Sequence, residues 1–423
     1  MPRRRYVFSA LALVVAIPVS SRWLVGAGAT GDRASAQDES VIRYSVVARV
    51  PVSDARGVAA KPGLAVVTDA DSGLRVYDMR HPSAPVELGR AATVGTAGRV
   101  IVDGDVALVA HGRDSLSLYD LGEPESLRRL STMNLGNPEQ ALAARDGMGS
   151  LADGRDLVVF DYSTPAAPNE LGRLEMDFFG PYGVALSGDL AYVAQHWDRL
   201  RIVDVADPAN PVARGSLGES ELATGQSVAV DGDRAYVGER LQGAYFIPRP
   251  TPGPSPTGPQ PPPTAAPTQP PDGGRLTVVD VSNPDSPRPI GSSEAFGYRP
   301  LTAVRADGNL VWVIAWPDPG WNNIMVFDVS DPAHPVPAAV EFEPPLAWNA
   351  DPRDVAIEGD TVYVAAKDAL VVLRRVREWS GTPAYLPLAG RLLLVGQGIG
   401  NSIASADARR WCHRSARAPR ACW

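Results

Sequence analysis

The chain has 423 residues, a formal net charge of −8 at neutral pH and only two cysteines. A mildly acidic balance argues against a nucleic-acid partner, which needs a basic face. With the cysteines confined to Cys412 and Cys422, the body of the protein has neither a disulfide nor a thiolate metal site.

At the N-terminus a basic start, "PRRRYVF", runs into "VFSALALVVAIPV" (Val7 to Val19), an apolar run too short to span a bilayer. Small-residue cleavage sites follow at Ala27-Gly28-Ala29 and Ala34-Ser35-Ala36. Residues 1–36 are therefore expected to be an export signal, the other reading being an uncleaved anchor. The two cysteines of the tail can then close a small loop in an oxidising compartment or stay unpaired.

From residue 41 the chain repeats itself. "LRVYDMRHPSAPVELGR" at Leu74 returns as "LVVFDYSTPAAPNELGR" at Leu157, "LRIVDVADPANPVARGS" at Leu200, "LTVVDVSNPDSPRPIGS" at Leu276 and "IMVFDVSDPAHPVPAAV" at Ile324. The repeated Asp falls at Asp78, Asp120, Asp161, Asp204, Asp280 and Asp328, and "LVVLRRV" (Leu370 to Val376) is a seventh copy without it. Apart from one long gap before Asp280, the spacing is that of four-stranded propeller blades.

Each unit reads as four short strands rich in Val, Leu, Ile and Tyr, separated by turn residues. In the fourth unit they are "GVALSGD", "LAYVAQ", "LRIVDV" and, after the corner "ADPANP", "VARGSL". Inner strands are expected near Gly57, Arg99, Gln140, Gly183, Ser227, Thr302 and Asp354, seven in all. Fourth strands number only six, beginning near Val86, Leu127, Asn169, Val212, Arg288 and Val336. The lone strand "YSVVARV" (Tyr44 to Val50) is expected to supply the seventh. Residues 41–376 thus predict an all-β fold, a seven-bladed β-propeller of four-stranded blades whose ring is closed by an N-terminal outer strand in the last blade.

These units resemble the LVIVD repeat, with "LRIVDV" and "LTVVDV" as the best copies of its third-strand signature. The resemblance covers about Val41 to Val376. It departs in the third blade, whose "AARDGMGSLADG" has a weak second strand, and in the seventh, which lacks the Asp; both are expected to be distorted. The resemblance implies a bacterial, often surface-associated propeller and no single common activity.

"PRPTPGPSPTGPQPPPTAAPTQPPDGG" (Pro248 to Gly274) interrupts the fifth blade between its second and third strands. Its proline-rich composition cannot bury apolar surface, so an extended, disordered loop is expected. Residues 377–423, apolar then basic, read as a mostly disordered tail, with an anchoring tail as the alternative.

No catalytic signature is present. "DADSG" (Asp69 to Gly73) has alternating carboxylates but lacks the closing Glu of a calcium loop, and reads as a polar turn. His111 and His196, in equivalent loops of blades two and four, read as solvated side chains rather than a metal pair. No cofactor and no metal are expected.

In a propeller, the loops entering the inner strands share a face with those joining strands two and three. That rule gathers Phe178, Phe179, Tyr182, Trp197, Phe296, Tyr298, Trp316, Trp321 and Trp348 on one face, mostly in blades four to six. A partner surface is expected there, for a protein or a cell-wall glycan. Arg56, Gln140, Gln226 and Arg353, just ahead of the inner strands, are expected to ring the channel mouth. The sequence therefore reads as a secreted or cell-surface, extracytoplasmic binding or scaffold module, monomeric, touching membrane only through its signal or tail. The alternative is a lyase or hydrolase with its site at the channel mouth.

Overall fold

The computed structural model describes residues 41–111, 115–135, 141–176, 180–218, 223–241, 273–296, 301–315, 323–344, 351–376, 386–388 and 391–393. Apart from one 3-10 turn at Pro124–Ser126, every regular element among them is a strand. Six antiparallel sheets have four strands each. Their inner strands are Ala55–Lys61, Ala97–Asp103, Leu142–Arg145, Pro181–Ser187, Ala223–Asp231 and Leu301–Asp307. The seventh sheet starts on the inner strand Pro352–Glu358 and has five strands. The architecture is a seven-bladed β-propeller.

Each blade is apolar on both faces because a neighbour packs on each. In blade three Leu157, Val158, Val159 and Phe160 of the third strand are all fully buried, an unbroken apolar run with no polar alternation. Seven apolar clusters lie among the described residues, each straddling the seam between two consecutive blades. Blade three is not distorted: its first three strands pair in continuous ladders, and its fourth joins with one register shift, as in blades one and two. Its second strand looks weak in sequence because Gly149 lies opposite Phe160, whose ring would stand 2.1 Å from any Cβ there.

The repeated corner has a definite structural role. The Asp ending the third strand accepts the amide of the second residue after it in six blades: Asp78 from Arg80, Asp120 from Gly122, Asp161 from Ser163, Asp204 from Ala206, Asp280 from Ser282 and Asp328 from Ser330. Such Asx turns reverse the chain at small entropic cost. The corner then presses on the preceding blade. The amide of Gly215 donates to Pro284 O at 2.9 Å, and a Cβ on Gly291 would meet Ala333 O at 2.1 Å. In blade two Ser131 takes the glycine's place and its hydroxyl donates to Pro165 O at 2.6 Å. The glycine of "LGR", "RGS" and "IGS" is thus set by a backbone approach from the next blade.

Ring closure follows the expected route. Ile42–Pro51 pairs antiparallel with Ala369–Arg375, with Val46 opposite Leu373 and Ala48 opposite Val372. The Asp is missing from blade seven because its third strand turns no corner; its fourth strand comes from the other end of the chain. One strand was not anticipated. After a two-residue fourth strand in blade six, Val340–Glu343 pairs parallel with Ile42–Ser45 and covers the outer edge of the closing strand. Tyr44, 1% exposed, sets its ring edge-on to Trp312 of blade six at 5.1 Å, so the closing strand is keyed into the adjacent blade.

The Pro-rich insertion lies almost wholly outside the described residues. The chain leaves blade five at Leu241 and re-enters it at Gly273, so Gly273 and Gly274 belong to the third strand. In the tail, Leu386–Leu388 and Arg391–Leu393 form a two-stranded antiparallel ladder.

Two substitutions test the closure and the seam. Tyr44→Ala should cost about 3–5 kcal/mol of unfolding free energy, as for a deleted aromatic core side chain, read by urea denaturation. Gly291→Ala should cost about 1–3 kcal/mol by overpacking the seam between blades five and six. A variant of either kind with unchanged unfolding would show that the contact does not hold the ring.

Candidate functional site

The inner strands all enter from one face, and in six blades the entry carries a β-bulge. The register slips between Ala55 and Gly57, Ala97 and Val100, Pro181 and Gly183, Gly225 and Ser227, Leu301 and Ala303, and Pro352 and Asp354. A bulge adds one unpaired residue and re-aims its side chain, and such bulges favour barrel rims. The extra residues are Arg56, Gly98, Tyr182, Gln226, Thr302 and Arg353. Arg56, Gln226 and Arg353 therefore sit within the strands rather than ahead of them, and Tyr182 shares their level. Gln140 lies outside the described residues.

The next position packs against the backbone of the following inner strand. A Cβ on Gly57 would meet Gly98 O at 2.8 Å, and one on Gly183 would meet Ser227 Cα at 2.9 Å. Five blades place a small residue there: Gly57, Ala141, Gly183, Ser227 and Ala303. Blades two and seven carry Arg99 and Asp354 instead. Asp354 fits by accepting Val58 N from the neighbouring strand at 3.3 Å, along with Val355 N at 2.9 Å and Arg305 Nη2 at 3.0 Å. Arg99 reaches across the bore from blade two to blade six, where its Nη2 donates to Thr302 O at 3.3 Å. Burial in the bore holds the Arg99 guanidinium below its ordinary pKa, with Asp354 opposing that shift and Arg305 adding to it.

At the mouth, Asp54 bridges two of the named arginines, accepting Arg353 Nη1 at 2.7 Å and Arg56 Nη2 at 3.0 Å. The end of the second strand, on the same face, is polar in five blades: Asp69, His111, Asp153, Gln195 and Glu239. Asp69 accepts from Ser53 N and Oγ, Asp54 N, Asp71 N and Ser72 Oγ. Burial pushes its carboxyl up, but the bonds from Ser72, the Asp71 amide and Ser53 outweigh it and hold it below the usual range. The "DADSG" turn is a structural latch on the chain entering blade one.

Glu239, fully buried, accepts Arg275 Nε at 2.8 Å, Thr277 Oγ1 at 3.0 Å and Arg199 Nη1 at 3.3 Å. Glu239 is on the strand leaving toward residues 242–272, Arg275 on the strand returning, and Arg199 on blade four. The cluster therefore clamps the root of the long connection to the neighbouring blade. Arg199 adopts φ +59°, and its carbonyl lies 1.9 Å from where a Cβ on Gly225 would stand, so the turn and the glycine require each other.

Of the aromatic face, Tyr182 occupies the bulge of blade four and Trp197 the turn between its second and third strands, edge-on to His196 at 4.8 Å. Phe296 turns inward, stacked on Phe327 at 5.2 Å and bridged to Gly274. Phe178, Phe179, Tyr298, Trp316, Trp321 and Trp348 lie outside the described residues. His111 is not solvated. It closes the second strand of blade two, is 2% exposed, and has no hydrogen-bond partner on either ring nitrogen.

Sequence reasoning missed Arg99, Arg305, Asp354 and Glu239. The signal for the first three was present: aligning the inner strands shows charge at positions where other blades write Gly, Ala, Ser or, once, Ile. Arg305 aligns with Ala59, Ile101, Ala143, Ala185, Ala229 and Ala356.

Burial lowers the His111 imidazole to about 4, with the Arg129 charge adding to the shift. Between that value and its ordinary pKa the unfolded chain takes up a proton that the native state refuses. Stability should therefore fall as pH falls, by about 2 kcal/mol from pH 7 to pH 5. Urea unfolding at both values checks this, and in His111→Leu the loss over that interval should shrink to what the other groups supply.

Similarity to known proteins agrees with the architecture. Among solved structures, a chain in "Crystal Structure of Mitotic Checkpoint Complex" superposes with TM-score 0.53 at 12% identity, covering 84% of this chain and 99% of that one. The WD40 β-propeller domain of Doa1 superposes with TM-score 0.55 at 12% identity, covering 80% and 98%. At such identities the likeness is one of fold alone. No curated protein matches in sequence. The LVIVD repeat pattern matches six segments, residues 53–93, 151–175, 182–217, 272–294, 308–338 and 350–373. They include parts of blades three and seven and omit blade two. With its signature repeated around the ring, the chain belongs to the LVIVD repeat family.

Proposed function

We propose that this propeller is an extracytoplasmic, non-catalytic binding module that engages its partner on the face where the inner strands enter, over blades four to six. The observation that carries this reading is the buried Glu239–Arg199–Arg275 cluster. A fully buried carboxylate held by two guanidinium groups fixes the root of a long proline-rich connection to the blade that presents Tyr182 and Trp197. Buried ion clusters add little net stability against apolar packing, so one placed here is better understood as fixing geometry. A rigid root beside half-buried aromatic side chains suits capture of a protein or a cell-wall glycan. The basic, then apolar, N-terminal segment supports export.

A lyase or hydrolase at the channel mouth is the competing reading. The carboxylates described there, Asp54, Asp69 and Asp354, are each engaged by several donors, which favours a positioning role over proton transfer.

The test is capture from envelope extract and, separately, on insoluble cell-wall glycan, by the full chain and by a Trp197→Ala, Trp316→Ala, Trp321→Ala variant of unchanged thermal unfolding. The wild type should retain a partner and the variant should lose most of it. Equal capture by both would move the partner off this face.

A further inference from the structure

The bore holds a cavity of about 400 Å³ between all seven inner strands. Its wall is mostly Ala, Val and Ile, including Ala59, Ile101, Val102, Ala185, Val230 and Ile357. That size falls within the range of small-molecule pockets, and apolar side chains share the accessible wall about equally with polar atoms. The polar side chains in the lining are Arg99, Arg305 and Ser227.

Their donors are unequally used. Arg305 gives Nη1 to Val304 O and Nη2 to Asp354. Asp354 is in turn saturated by Arg305 and the Val58 and Val355 amides. Among the described residues Arg99 gives one bond, to the Thr302 carbonyl, which carries no charge to offset its own. A guanidinium has five N–H donors in a planar fork suited to a carboxylate. Arg99 lines the bore and is part-buried there, and the carboxylate that acts on it, Asp354, is already bonded to Arg305 and two amides.

The two ends of the bore differ. The rim at the turns between strands one and two carries Asp103, Asp231, Asp307 and Glu358 against Lys61 and Arg145. The level of the bulges carries Arg56, Arg99 and Arg353 against Asp54, Asp351 and Asp354, and Arg305 stands two positions further along its inner strand than the residue that aligns with Arg99. The bulge end is balanced and the turn end acidic, so an anion is repelled at the turn end and meets Arg99 nearer the bulges. A ligand with a negative head and an apolar body therefore has one orientation, head on Arg99 and body down the Ala- and Val-lined wall.

We propose that the central channel is a binding site for a small aliphatic monocarboxylate, held by the Arg99 guanidinium with Arg305 beside it. The site is distinct from the aromatic face and stands or falls independently of it.

Titration calorimetry of the full chain with acetate, butyrate and hexanoate, and separately with inorganic phosphate, tests the proposal. One-to-one binding is expected, tightening about fourfold per added methylene until the cavity is filled. Arg99→Gln should weaken every carboxylate by about tenfold or more, as for loss of a charged hydrogen-bond pair. Arg99→Lys, which keeps the charge and loses the fork, should fall between. Absence of saturable carboxylate binding, or binding unchanged in a folded Arg99→Gln protein, would overturn the site. Phosphate binding as tight as hexanoate would overturn the assignment of an apolar body. If Arg99→Gln does not fold, the chain-length series in the wild type decides alone: affinity flat across it refutes an enclosed bore.

Discussion

The structure depends on the pairing of Ile42–Pro51 with Ala369–Arg375. A propeller sheet has two flanks and no free end only if the last blade is completed by the first segment of the chain. Without that pairing, blade seven exposes the edge of its third strand, and the seam holding Tyr44, Trp312 and Val364 loses one wall. The added strand Val340–Glu343 lies outside the closing strand and makes an ion pair to it, Glu341 to Arg43 at 2.9 Å. Closure is thus reinforced by backbone pairing on both sides and by an aromatic key into blade six. Exposed pairs of that kind contribute little, so the backbone ladders and the buried rings carry the closure.

Most of the architecture was legible because it is written in local chemistry repeated many times. The Asp and Pro of each corner act within four residues of each other. The short apolar strands are buried on both faces wherever they occur, and counting strands by type exposed the missing seventh partner. What was not legible was non-local. The strand Val340–Glu343 has no signature, since its role is set by the closing strand lying next to it. Gly149 looks like a defect until Phe160 is placed opposite. His111 looks like a loop residue until the second strand is extended by one position, which carries it under the loop and out of water.

The charged bore shows the same division. Arg99, Arg305 and Asp354 stand out once the inner strands are aligned, because a propeller repeats one environment seven times and a departure at one blade is visible against the other six. That Arg99 crosses the bore to Thr302 could not be read from the alignment, since it depends on the width of a closed ring. The mouth arginines differ in kind. Arg56 and Arg353 are tied to Asp54 and serve the seam between blades seven and one, where the chain crosses from the closing strand to the first inner strand.

Closure and the bore are therefore coupled. Asp354 is on the inner strand of the blade that the N-terminal strand completes, and its carboxylate reaches the Val58 amide in blade one, across the seam that the closing strand spans. The same carboxylate sets Arg305 in the bore. Any loosening of blade seven would reach Arg305 through Asp354 and would remove the one negative group that tempers Arg99. The charge in the channel is in this sense a property of the closed ring rather than of any single blade, and the six blades that close only on their own strands could not have created it alone.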